Sequence, residues 1–90
     1  MKLVEFNYTK TDGKTSARAL VVLQEPSKHL SGIDVSDLDT DSFELFTREI
    51  RALKEQQHNQ MLDLMAKHDL KHNYRQFLPE RMSQVETVWV

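Results

Sequence analysis

Apolar and polar residues alternate from Lys2 to Thr9, with Val4, Phe6 and Tyr8 on one side and Glu5, Asn7 and Thr9 on the other. A period of two belongs to a strand with one buried face, so a first strand is predicted here. Thr11-Asp12-Gly13-Lys14 follows, and Asp-Gly predicts a tight hairpin turn with both central residues at positive φ. The next run, Ala17 to Leu23, is apolar on both sides after Arg18, which predicts a central second strand from Ser16 to Leu23. Pro26 has no N–H to give to a ladder and ends that strand, with Ser27 and Lys28 extending the turn. Leu30 to Val35 predict a short third strand.

The period changes from Asp39 onward. Phe43, Phe46, Ile50, Leu53, Met61, Leu64, Met65 and then His68 fit a helical stripe, and Asp41 with Glu44 has the spacing of a capping box. The pattern predicts one long helix over residues of about 40–70. Its middle, Glu55 to Gln60, is polar all round, so the helix either projects beyond the core there or breaks in two; one helix is the expectation. Asn73 to Val90 return to a strand pattern through Tyr74, Phe77, Met82, Val85, Val88 and Val90, with a turn at Pro79. The predicted class is therefore α+β: about five strands in a curled sheet or small, partly open barrel, with a helix inserted between strands three and four.

Composition narrows the class without naming a function. Ninety residues with 39% hydrophobic positions, two glycines and two prolines make one ordinary folded domain, 1–90. The absence of cysteine excludes disulfides, thiolate metal sites and thiol nucleophiles. Lys2, Glu5 and Asn7 interrupt the N-terminal apolar residues, so neither a signal peptide nor a membrane span is predicted and the cytoplasm is the expected location. The net charge of -2 does not advertise nucleic-acid binding. The acidic run Asp34, Asp37, Asp39, Asp41 and Glu44 reads as a solvated loop entering a helix, where carboxylates favour the positive end of the dipole.

Candidate chemistry is sparse. Ser16, Ser27, Ser31 and Ser36 lie in turn-like contexts, and the sequence shows no nucleophile with a base and no phosphate-cradling glycine loop, so no enzyme is expected. His68 and His72 are four apart, the spacing of two metal ligands on one helix face, but a third ligand at fixed spacing is missing; neither metal nor cofactor is implied. Arg18 reads either as a ligand contact or as a strand charge that reaches water or pairs with Glu5 across the hairpin. The helical stripe either covers the sheet of its own chain or docks outward. The outward reading makes the chain a small interaction or inhibitor factor of phage type, with a protein partner or a homodimer held through Phe46, Ile50, Leu53, Met61, Leu64 and Met65.

Phe6-Asn7-Tyr8, then Asp12-Gly13, then Ser16-Ala17-Arg18-Ala19-Leu20 resembles the opening hairpin of WYL domains. Lys28-His29-Leu30 before Ser31-Gly32-Ile33-Asp34 stands where that family has its aromatic-leucine triplet, and Arg75, Phe77, Arg81 and Met82 are similar to its later arginine-rich signature. The likeness covers Val4 to Asp34 and Tyr74 to Val88, with the helix as an insertion; Lys28 and His29 replace the Trp-Tyr pair. It implies an SH3-like or Sm-like barrel serving as a regulatory module in transcription or phage and host defence. Such a module would bind nucleic acid or an anionic, nucleotide-like ligand. The positions it marks are Tyr8, Arg18, Arg75 and Arg81, with Lys28 and His29 at the altered pair. Arginine's planar fork suits phosphate, and a neighbouring aromatic face can stack on a base.

Overall fold

A computed structural model describes residues 1–23, 28–53 and 58–89. Pro26 and Ser27, the polar residues Glu55 to Gln57, and Val90 lie outside the described residues. The chain forms two compact units, Met1–Ser36 with Asn73–Val90, and Asp37–His72. The first holds β1 (Lys2–Thr9), β2 (Thr15–Val22), β3 (Leu30–Asp34), β4 (Tyr74–Phe77) and β5 (Met82–Trp89). The second holds α1 (Thr40–Ala52) and α2 (His58–Lys67).

The five strands make one antiparallel sheet in the order β4-β3-β2-β1-β5, with β2 central as its two-sided apolar run predicts. Between β4 and β5, which occupy opposite edges, the chain has only Leu78 and a single 3-10 turn, Pro79–Arg81. In a flat sheet those edges stand about 19 Å apart, whereas this link reaches only about 13 Å. The sheet must therefore curl. The rings confirm it: Phe77 of β4 meets Phe6 and Tyr8 of β1 edge-on, with centroids 5.1 and 4.9 Å apart. Two strands lie between β1 and β4, so the same rings in a flat sheet would be about 14 Å apart. The concave face buries Val4, Phe6, Leu20, Val22, Leu30 and Phe77, with Tyr8 and Met82 packed against them. The class is α+β as predicted, and the sheet is curled but not closed.

Local chemistry sets the elements, and it departs from the sequence pattern in several places. In the hairpin the Gly13 N–H donates to Lys10 O at 2.9 Å, and Gly13 has φ 85. Asp12 does not share the positive φ expected of it; its carboxylate accepts from the Lys14 N–H instead. A longer loop whose final glycine alone is left-handed replaces the two-residue turn. Gly32 answers a different demand: a Cβ there would lie 2.2 Å from Val21 O, so only glycine lets β3 approach β2. At the other edge every residue of β5 from Ser83 to Val88 is exposed. Two register shifts against β1, and Gln84 at φ 52, bulge this strand and make its edge a poor template for another chain.

The predicted single helix is two. α1 ends at Ala52, with Leu53 extended, and α2 starts at His58. Its N-cap is Asp39 rather than Asp41: the Asp39 carboxylate accepts from the Ser42 N–H at 2.8 Å, and that bond holds its pKa below the ordinary aspartate value. α2 stops at Lys67 because Asp69 turns left-handed, at φ 58, while the Leu70 N–H reaches back to Met65 O. His68 and His72 lie beyond the end of α2 and therefore do not share a helix face. Within this unit Glu49 of α1 accepts from Lys67 Nζ at 2.8 Å and lies 3.2 Å from His68 Nε2, while the His68 ring stands edge-on to Phe46. The Lys67 bond first, and then His68, hold the Glu49 pKa below the ordinary glutamate range.

Two measurements check these assignments. Gly32→Ala should destabilise the protein by about 1–3 kcal/mol or more in urea unfolding, since backbone is the obstacle and cannot yield as a side chain could; an unchanged midpoint would refute the close approach. For Glu49, a depressed folded-state pKa adds stability that is complete above the unfolded-state value and is lost as pH falls through the folded one. Glu49→Gln should thus be less stable than the parent at neutral pH, and the two should converge only below the ordinary glutamate range. Convergence already near neutrality would contradict the pairing with Lys67.

Candidate anion-binding site

Alternation along the strands decides which side chains meet. On β2, Arg18 shares the concave face with Leu20 and Val22, and its partner across β1 is Phe6; Glu5 pairs with Ala19 and points to the other face. The expected Arg18–Glu5 pair is therefore impossible. Arg18 turns instead to Asp34 at the end of β3, donating from Nη1 to Oδ2 at 3.0 Å and from Nε to Ser16 Oγ at 3.0 Å. Its guanidinium carbon lies 5.9 Å from the centre of the Phe77 ring. On the far side of β3, Arg75 of β4 brings Nε to 3.6 Å from the same Asp34 oxygen.

Asp34 does not belong to a solvated acidic loop, as its neighbourhood in sequence implies. Its side chain is 4% exposed, whereas Asp37, Asp39, Asp41 and Glu44 are exposed as expected. The other carboxylate oxygen accepts from the Ser36 N–H and the Ser36 hydroxyl. That hydroxyl also accepts from the Ala19 N–H at 2.8 Å. Burying a carboxylate is tolerable only with such full hydrogen bonding and opposite charge. Asn73 fastens the start of β4 to the same residue, its Nδ2 donating to Asp34 O while the Asp34 N–H donates to Asn73 O.

Above this buried pair lies an open depression of about 330 Å³ lined by Tyr8, Lys10, Arg18, Tyr74, Arg75, Gln76 and Phe77. Its wall is fixed by the Tyr8 and Phe77 rings and by the Leu78 N–H, which donates to the Tyr8 hydroxyl at 3.5 Å. Lys10, Arg18 and Arg75 against the single carboxylate of Asp34 leave two positive charges there. Arg18 is held; Arg75, 52% exposed, and Lys10, exposed, face water. Tyr74, 50% exposed, supplies an aromatic surface beside them.

Of the six candidate ligand residues, the structure gathers Tyr8, Arg18 and Arg75. Arg81 sits half-buried on the 3-10 turn, exposed Lys28 and half-buried His29 precede β3, and none of the three lines this depression. Lys10, Tyr74 and Gln76 are contacts the sequence reading missed. Lys10 was within reach of it, because it continues the even-numbered series Val4, Phe6, Tyr8 one step beyond the strand. Of the six helical docking residues, Phe46, Ile50, Met61 and Met65 are buried, and Leu53 and Leu64 are half-buried.

A larger depression, of about 480 Å³, is lined by Glu5 and Glu86 with Arg18, Asn7, Gln84 and the small Ala17 and Ala19. Two carboxylates against one guanidinium, itself committed to Asp34, make it a poor site for an anion. No helix among the described residues is long and apolar enough to cross a membrane. Compared with known proteins, the chain matches no protein-family model, no curated protein and no solved structure.

Removing the Arg18 side chain should leave Asp34 buried with one distant cation. Arg18→Ala is expected to destabilise by about 2–3 kcal/mol in chemical denaturation. Arg75→Ala, at a longer distance and in water, should cost under about 1 kcal/mol. Equal losses would contradict the division of labour between the two arginines.

Proposed function

We propose that this chain is a non-enzymatic, WYL-like binding module that takes a nucleic acid or an anionic, nucleotide-like ligand in the depression between Tyr8, Lys10, Arg18, Tyr74 and Arg75. The observation that carries the reading is convergence: cations from the β1 end, β2 and β4 line one depression, and with two of them at the single Asp34 carboxylate an excess of positive charge is left beside exposed tyrosine. Arg18, fixed by Ser16 and Asp34, sets the floor; Arg75 and Lys10 meet the anion; Tyr74 offers a face on which a base can stack.

The finer fold reading goes with it. A curled sheet whose last strand returns to the first is compatible with the SH3-like or Sm-like barrel that the resemblance implies, here left open along β4. A regulatory role in transcription or in phage and host defence follows from that resemblance. Binding is favoured over catalysis because the lining holds no nucleophile beside a base and the depression is too open to exclude water.

The test is fluorescence anisotropy with a 3′-labelled, 5′-phosphorylated single-stranded oligonucleotide over a range of salt. Lys10→Ala with Arg75→Ala should weaken binding about tenfold or more at low salt and flatten the slope of log K against log salt by about 1.4, the share of two lost phosphate contacts. Both residues are exposed, so the double variant should keep the parent's circular dichroism. Binding that the double variant retains in full would dismiss this site.

A further inference from the structure

The charge at this depression is more specific than attraction to nucleic acid in general, and resting on that reading we infer that the site takes a terminal phosphomonoester rather than an internal phosphodiester. Three cations and one enclosed carboxylate leave two positive charges within a single depression. A phosphodiester brings one negative charge, while a phosphomonoester brings about 1.5 to 2 at neutral pH together with three strong acceptor oxygens. The monoester alone matches the excess.

The disposition of the donors agrees. Arg18 is already committed through Nε and Nη1 to Ser16 and Asp34, so it acts as a positioning residue. The Arg75 Nε, 3.6 Å from Asp34, is beyond a good hydrogen bond, which leaves that guanidinium open to a stronger acceptor. Lys10 has no carboxylate within ion-pair distance among the described residues. Two available cations, one just past the end of β1 and one on β4, thus line the same depression, which suits an oxygen-rich end group. Size is in keeping with this: about 330 Å³ lies at the low end of small-ligand sites, of the order of 300–1,000 Å³, and gives room for a phosphate with one nucleoside. Tyr74 at the rim then receives the first base.

The chemistry is shared by a free nucleoside monophosphate and by the 5′-phosphorylated end of a strand, and the test separates them. Anisotropy is measured for one 3′-labelled oligonucleotide with and without its 5′-phosphate, and each is competed with a nucleoside 5′-monophosphate and with the corresponding 3′,5′-cyclic monophosphate, a diester. The phosphorylated strand should bind about tenfold or more tightly than its 5′-hydroxyl form, an advantage that Arg75→Ala removes. The cyclic diester should not compete, whereas the monophosphate reports which source of the monoester the site takes. Competition at equal concentration by the free monophosphate marks it as sufficient; competition only by phosphorylated strands marks the strand end; either supports the inference. Equal, Arg75-dependent binding of the two strands would overturn it while leaving the broader proposal standing. No binding of any of these probes would end both.

Discussion

The structure depends on a length mismatch. β4 and β5 stand at opposite edges of the sheet but are joined by Leu78 and one turn of 3-10 helix, a span too short for a flat sheet. Curling is the solution, and it has two results. It stacks Phe77 against Phe6 and Tyr8, which gives a small sheet a concave core of its own. It also carries Arg75 and Tyr74 to the end of β1, where Tyr8 and Lys10 lie, so that a depression forms from residues some seventy positions apart.

Electrostatics is built on that geometry in layers. The buried carboxylate of Asp34 is satisfied by Ser36 and Arg18 from adjoining backbone and strand, and it fixes the arginine in the floor. Because β3 lies between β2 and β4, the same carboxylate also faces Arg75, but at a longer distance and in water. One arginine is thereby made structural and the other left available. A net charge of -2 for the whole chain is no guide to this site, since the acids of the α1 entry are exposed elsewhere and only Asp34 is enclosed with the cations.

Period and turn chemistry made most of the sheet readable. The alternation from Lys2 to Thr9 marks β1 at its observed bounds, the two-sided apolar run marks β2 as central, and Pro79 marks the break between β4 and β5. What could not be read were features set by tertiary context. Asp34 looks like part of an acidic tract until β2 and β4 place arginines beside it. Arg18 and Glu5 seem natural partners until the register puts them on opposite faces. Asp12-Gly13 allows a two-residue turn, but the Asp12 side chain binds the Lys14 N–H and keeps its own φ negative. In the helical region the polar stretch from Glu55 allowed either one projecting helix or a break, and the apolar stripe that continues through both helices favoured the wrong one; the left-handed Asp69 has no glycine to announce it. At the site, Arg81 matched a motif in sequence yet went to the 3-10 turn, while Lys10, outside any motif, joined the cations.

The central claim is that the sheet curls far enough for a β4 side chain to touch β1, and nuclear Overhauser spectroscopy of the aromatic protons tests it directly. With ring centroids 5.1 and 4.9 Å apart, Phe77 should give strong cross-peaks to both Phe6 and Tyr8 in the free protein. Cross-peaks confined to neighbouring strands, with none from Phe77 to either ring, would mean an open sheet, and the core and the binding depression described for it would not exist.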